Sequence, residues 1–202
     1  MKRTVLYIHG RGGSAEEAAH YRALFPDSAV LGIDYRSETP WEAAEEFPRL
    51  FNSAVRGQAR VTVIANSIGA YFTMCALADK PIERAFFISP VVDMEKLILD
   101  MMSRANVSED ELRIKGTIPT SFGEELSWDY LCHVREHPLS WTVPTEILYG
   151  SRDALTAFDT ISAFADSHNA GLTVMDGGEH WFHTAEQMEF LDSWLMEKSD
   201  QA

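Results

Sequence analysis

The sequence predicts an α/β fold, a mainly parallel six-stranded sheet layered between helices, and three observations predict it. Short apolar runs rich in β-branched residues recur along the chain, and segments with helical periodicity separate them. Most of these runs are apolar on both faces, as parallel strands covered on each side by helices must be. Strand–helix alternation of this kind implies right-handed crossovers and a three-layer α/β/α sandwich.

The strands are expected, in order, at 4–8, 29–33, 61–64, 85–88, 145–149 and 172–175. After the second, Trp41, Ala44, Phe47, Phe51 and Ala54 repeat every three or four residues, against Glu42, Glu45, Glu46 and Arg49. That is the pattern of a helix with one buried face. Phe158, Ile161, Phe164 and Ala165 do the same after the fifth strand, and Met188, Leu191 and Leu195 near the end. Residues 92–143 break the alternation. They hold Leu97, Ile98, Met101, Met102, Phe122, Trp128, Tyr130 and Leu131 without one long clean helix. The stretch is too long for a single crossover and reads as a crossover plus lid insertion within one domain, 1–202. Nothing apolar is left at 199–202, where disorder is expected.

A chain of 202 residues, 46% hydrophobic and 24% charged, is long enough to bury one core. Its net charge of −14 leaves no basic patch for phosphates, which argues against nucleic acid or an anionic membrane as partner. The acidity reads first as solubility. Lys2 and Arg3 are followed only by residues 4–8 before His9 and Gly10 interrupt, too short for an export signal, and no run reaches transmembrane length. The cytoplasm is the expected address. Cys75 and Cys132 form neither a disulfide framework nor a metal-ligand spacing, and Cys75 sits in an apolar helical run as a small core residue. No cofactor or metal is expected. Ala15 stands where a dinucleotide fingerprint would need its third glycine, and there is no Walker lysine.

Residues 61–72 read as a strand, a tight turn and a helix, with Ala65-Asn66-Ser67-Ile68-Gly69 at the turn. A serine at the tip of so sharp a turn needs tiny residues two positions before and after it, and Ala65 and Gly69 meet that need. The turn projects the hydroxyl beyond the sheet, at a helix N-terminus where free N–H groups favour negative charge. Taken alone, the pattern also fits a serine N-cap. The flanking strand and apolar helix favour a nucleophile elbow.

With that elbow the sequence resembles the α/β-hydrolase superfamily over nearly the whole chain except the insertion. Three further features carry the resemblance. His9-Gly10-Arg11-Gly12-Gly13-Ser14 closes the first strand as an HG-x-G-G segment. Asp153 follows the fifth strand in Tyr149-Gly150-Ser151-Arg152-Asp153. His180 follows the sixth in Gly177-Gly178-Glu179-His180-Trp181-Phe182. The order Ser, Asp, His is the one this fold uses. The resemblance implies a minimal six-stranded fold, starting at what larger members count as their third strand. It also implies Ser67 as nucleophile, His180 as general base and Asp153 as the acid that orients it. The backbone N–H groups of Arg11 and Ile68 would form the oxyanion hole. Ala65 replaces the usual first glycine, as it does in small bacterial lipases of the superfamily, and Asn66 replaces the common histidine.

Two assignments have competitors. Asp93, just past the fourth strand, is where some members carry the acid, although Asp153 is at the commoner position. His183 competes with His180 but lies one turn into the following helix. His9 is expected to shape the oxyanion loop. His20, His133, His137 and His168 have no motif and read as structural or solvated, and Asp159 and Asp176 as exposed charges. The activity implied is hydrolysis of a small-molecule acyl substrate, first of all a carboxylic ester. Thioester, amide or carbon–carbon bond cleavage would use the same residues, and a non-catalytic binding protein on the same scaffold is the alternative of another class. An ordinary histidine titrates near pH ~6.5, so activity through such a base is expected to fall on acidification.

Overall fold

The structure, a computed structural model, describes residues 3–55 and 60–200. Six strands form one parallel sheet: β1 (Arg3–Ile8), β2 (Ser28–Gly32), β3 (Val61–Asn66), β4 (Arg84–Ile88), β7 (Thr145–Gly150) and β8 (Gly171–Met175), in the order β2-β1-β3-β4-β7-β8. A short hairpin, β5 (Thr117–Pro119) with β6 (Glu125–Ser127), is antiparallel. The helices are α1 (Ala18–Tyr21), entered through a 3-10 turn at Ala15–Glu17, then α2 (Pro40–Val55), α3 (Ile68–Leu77), α4 (Met94–Ala105), α5 (Glu109–Lys115), α6 (Trp128–Glu136), α7 (Phe158–His168) and α8 (Ala185–Asp200).

The chain divides into two compact units, one made of residues up to Val92 with those from Ser140 onward, the other Asp93–Leu139. In the first unit, alternation along the strands sorts the core into two halves. Val5, Tyr7, Ile64, Phe86 and Leu148 pack with Tyr21 of α1 and with Leu191, Trp194 and Leu195 of α8. On the opposite face Leu6, Ile8, Val63 and Phe87 are fully buried, and α2 and α3 lie together, with Phe47 and Phe72 at 6.1 Å. Each such side chain, fully buried, contributes about 1.5–3 kcal/mol of transfer free energy. The parallel register pairs Ile8 with Ala65, Asn66 with Ile88 and Ile88 with Leu148, so β1, β3, β4 and β7 end at one rim of the sheet.

The second unit contains three helices and the hairpin. Its α4 is a regular helix of twelve residues. Asp93 begins α4 by accepting the Lys96 N–H at 2.9 Å, an ordinary N-cap. Arg135 of α6 joins Glu95 of α4 and both oxygens of Glu109 of α5, tying the three helices together.

Other differences are local. Helix α2 buries Ala43, Phe47, Phe51 and Val55 and leaves Trp41 and Ala44 exposed, a stripe rotated from the one expected. Phe158 is exposed while Ile161, Phe164 and Ala165 of α7 are buried. Ser199 and Asp200, expected to be disordered, are the last two residues of α8, which buries Trp194 and Leu195. Lys2, Gln201 and Ala202 lie outside the described residues. Among the described residues no helix is long and apolar enough to cross a membrane.

Candidate active site

Ser67 occupies the turn between β3 and α3 with φ 49° and ψ −120°, a conformation that costs a non-glycine residue on the order of 1–3 kcal/mol. Three backbone hydrogen bonds hold it there. Its N–H donates to Ile88 O at 3.0 Å, and its carbonyl accepts from Val91 N at 3.1 Å and Ala70 N at 3.1 Å. Tiny neighbours make the turn possible. Ala65 is wholly buried, and a Cβ on Gly69 would lie 2.3 Å from His9 O and 2.9 Å from Ile8 O. Helix α3 can thus begin directly against the end of β1.

Asp153 follows β7 and His180 follows β8, and the two loops are stitched to each other. Ser151 N–H donates to Met175 O at 2.9 Å, Arg152 N–H to Gly178 O at 2.8 Å, and Gly177 N–H to Ser151 Oγ at 2.8 Å. The contact is close enough that a Cβ on Gly150 would stand 2.4 Å from Gly178 O. Asp176, exposed as expected, accepts from Ser151 Oγ at 3.1 Å.

Across these loops runs a continuous chain of hydrogen bonds. Ser67 Oγ is 2.8 Å from His180 Nε2, and His180 Nδ1 is 2.7 Å from Asp153 Oδ2. The Asp153 side chain is fully buried. Its other oxygen, Oδ1, accepts the N–H groups of Leu155 at 2.7 Å and Thr156 at 3.0 Å. Tyr149 of β7 braces this loop by donating its hydroxyl to Thr156 O at 2.8 Å. Burial, and then the Asp153 charge, push the Tyr149 phenol pKa upward, which keeps it a donor. Asp153 thus has fixed partners for both oxygens, and one of them is His180.

The structure brings Ser67, Asp153 and His180 together and leaves their competitors out of the relay, although His183 lines the same cleft. His183 Nδ1 bonds to Trp181 O at 2.7 Å, and its ring stacks on Trp181. Asp93 caps α4, as described above. Ile68 follows the nucleophile in the chain, and Arg11 lines the same cleft as Ser67. Ile68 opens α3, so its N–H has no carbonyl within the helix to bond, and Arg11 lies in the turn closed by Gly13 N–H to Gly10 O at 3.1 Å. His9 braces the same segment. Its ring stacks on Tyr35, whose hydroxyl donates to His9 O at 2.8 Å.

Ser67 and His180 line a cleft of about 830 Å³. Apolar side chains from the end of β4 (Ile88), the two strand-end loops (Leu155, Trp181 and Phe182) and α8 (Met188 and Leu191) supply much of its wall. The lining also includes polar residues that no sequence motif marks as a group: Tyr7, Glu17, His20 and Asn66. His20, expected to be structural or solvated, pairs with Asp192 at 2.6 Å beside the cleft. The packing of 15–21 beside β1 brings Glu17 and His20 to the cleft; in the sequence only the elbow motif, which contains Asn66, and the Ser14-x-x-Glu17 spacing of a capping box point to members of this group.

No family model matches the chain, and no curated protein matches it by sequence. Its backbone does resemble solved structures. Mouse alpha/beta hydrolase domain-containing protein 10 superposes with a TM-score of 0.77 at 13% identity, over 98% of this chain and 90% of that one. Est1E from Butyrivibrio proteoclasticus gives 0.74 at 18%, over 99% and 88%. The thioesterase domain of the curacin biosynthetic pathway gives 0.61 at 15%, over 96% and 91%. Identities this low speak to architecture alone, and with the parallel sheet order described above they show that this chain has the α/β-hydrolase fold.

Proposed function

We propose that this protein is a serine hydrolase that cleaves a small carboxylic ester through an acyl-enzyme intermediate. The observation that carries the reading is the unbroken chain Ser67 Oγ–His180 Nε2–His180 Nδ1–Asp153 Oδ2 in a cleft. A serine hydroxyl is a weak nucleophile at neutral pH and needs an adjacent base. With Nδ1–H donated to Asp153, the Nε2 lone pair of His180 faces the Ser67 hydroxyl and can take its proton.

The reaction follows from that arrangement. Ser67 Oγ attacks the carbonyl carbon as its proton passes to His180. The carbonyl oxygen becomes an oxyanion facing the N–H groups of Arg11 and Ile68, donors worth about 10²–10³ each in kcat in related chemistry. Asp153 stabilises the imidazolium. Collapse of the intermediate expels the alcohol, which leaves with the proton from His180. Water, deprotonated by His180, then attacks the acyl carbon, and the acid departs with Ser67 restored. The apolar wall of Leu155, Trp181, Phe182 and Met188 suits an acyl chain of short or medium length.

The same residues serve thioesters or amides, and a thioesterase domain is among the structures this fold resembles. The test is turnover of p-nitrophenyl esters from acetate to dodecanoate, alongside the matched thioester and anilide. Ester turnover that is lost in Ser67→Ala and His180→Ala is expected. Faster turnover of the thioester would reassign the leaving group, and no turnover of any of them by folded protein would contradict the proposal.

A further inference from the structure

The polar side of the cleft carries an inference that rests on the hydrolase reading above and goes beyond the three residues of the relay. Glu17 Oε1 accepts the Ser14 N–H at 2.9 Å, at the end of the segment that holds Arg11. Its other oxygen, Oε2, accepts the hydroxyl of Tyr7, in β1. The Tyr7 oxygen in turn accepts an N–H of Asn66 Nδ2 at 2.9 Å, and Asn66 is the residue before Ser67. One carboxylate therefore links the far end of the loop, the floor of the cleft and the elbow. The near end of the loop is held separately, by Tyr35 through His9 O. All of Tyr7, Glu17, Asn66 and Ser67 line the same cleft.

We propose that Glu17 is a positioning residue that sets the Arg11 N–H against Ser67, acting through Ser14 on one side and through Tyr7 and Asn66 on the other. Oxyanion stabilisation depends on where its donors stand in the transition state, and a displacement on the order of 1 Å can cost about 10²-fold in rate. Arg11 and Gly12 are exposed at the tip of the 10–13 turn, so the anchoring of its two ends bears directly on where that tip stands. A carboxylate suits the far anchor because both of its oxygens accept while Ser14 and Tyr7 both donate. Burial, and then the neighbouring Tyr21 and Glu17, raise the Tyr7 pKa, so that hydroxyl keeps its proton. Glutamine keeps an acceptor for Ser14 but offers Tyr7 only an N–H donor. Alanine removes both contacts.

The experiment compares wild type, Glu17→Ala, Glu17→Gln and Tyr7→Phe, with kcat expressed per site titrated by a fluorophosphonate. Counting sites removes any loss that comes from misfolded protein. Glu17→Ala is expected to lower kcat about tenfold or more with KM changed less than about threefold, and Glu17→Gln to recover most of that loss. A trifluoromethyl ketone, whose adduct with Ser67 carries an oxyanion, should bind Glu17→Ala more weakly by the same factor that kcat/KM falls. A kcat within twofold of wild type, or unchanged ketone affinity, overturns the positioning role. If Glu17→Ala does not fold, Tyr7→Phe carries the test, since it cuts the link to Asn66 and leaves Ser14 anchored. A threefold or larger fall in kcat at constant KM supports the link, and no change overturns it. Absence of phosphonylation in wild type itself would instead overturn the hydrolase reading beneath this inference.

Discussion

Replacing Asp153 with asparagine exchanges one oxygen for an NH2 group, and the surroundings decide which one. Oδ1 accepts two backbone N–H groups, from Leu155 at 2.7 Å and Thr156 at 3.0 Å. Turning the new NH2 toward them would set donor against donor twice, so the amide oxygen stays there. The NH2 must then face His180 Nδ1, which stands 2.7 Å from Asp153 Oδ2 in the native protein. A donor in that place forces Nδ1 to accept, and the imidazole proton moves to Nε2. Nε2 then points an N–H at Ser67 Oγ, 2.8 Å away, and can no longer receive its proton. Loss of the correct tautomer and of imidazolium stabilisation lowers kcat by about 10³–10⁴-fold, or about 4–5.5 kcal/mol of activation free energy. Stability should change by no more than about 1 kcal/mol, because two of the three hydrogen bonds survive. Ester turnover and a urea unfolding curve on the same preparation test both halves. A folded Asp153→Asn protein with kcat within tenfold of wild type would refute the assigned role of Asp153.

Three further outcomes follow from the packing. Gly69→Ala places a Cβ 2.3 Å from His9 O, which pushes the start of α3 off β1; a loss of about 1–3 kcal/mol in urea and about 10²-fold in kcat is expected, and near-native kinetics would contradict the close packing described. Glu46 accepts Arg36 N–H, Ser37 N–H and the Ser37 hydroxyl; burial pushes its pKa up, but these bonds, Ser37's hydroxyl first, and the Arg49 charge outweigh it and hold the pKa below the ordinary 4.5. Because the folded pKa is depressed, its contribution is present above about pH 4.5 and is lost as pH falls through the folded value, so Glu46→Ala should cost about 1–2 kcal/mol at pH 7 and progressively less on acidification. Partial burial pushes the Cys75 thiol up to about 11, leaving about one thiolate in a thousand at pH 8; peptide mapping after iodoacetamide should show Cys75 reacting more slowly in the native than in the urea-unfolded protein, and equal rates would contradict that shift.

What the sequence revealed and what it withheld have physical causes. Parallel strands covered on both faces are continuous apolar runs, so β1, β3 and β4 stand out along the chain by composition alone. Their ends are less visible because pairing sets them: Asn66 joins β3 opposite Ile88, whereas Ile33 falls outside β2 although its N–H still reaches Tyr7 O. Ser67, Asp153 and His180 sit at strand ends marked by small residues, so local punctuation locates them. The rotated stripe of α2 shows a limit of periodicity, since Trp41 and Phe47 are both apolar and only packing decides which is buried. Asp93 and Asp153 look alike along the chain, each just past a strand, and hydrogen bonds to Lys96 N in one case and His180 in the other tell them apart. The capping-box spacing hints at Glu17, but its link to the elbow is not legible along the chain, because that link runs through Tyr7 to Asn66, on two different strands.

The most direct test of the central claim is intact-protein mass spectrometry after treatment with a fluorophosphonate, comparing wild type with Ser67→Ala. An activated serine held by His180 and Asp153 predicts one phosphonyl adduct on the wild type and none on the variant. A folded wild type that takes no adduct, or a variant that is labelled equally well, would contradict it.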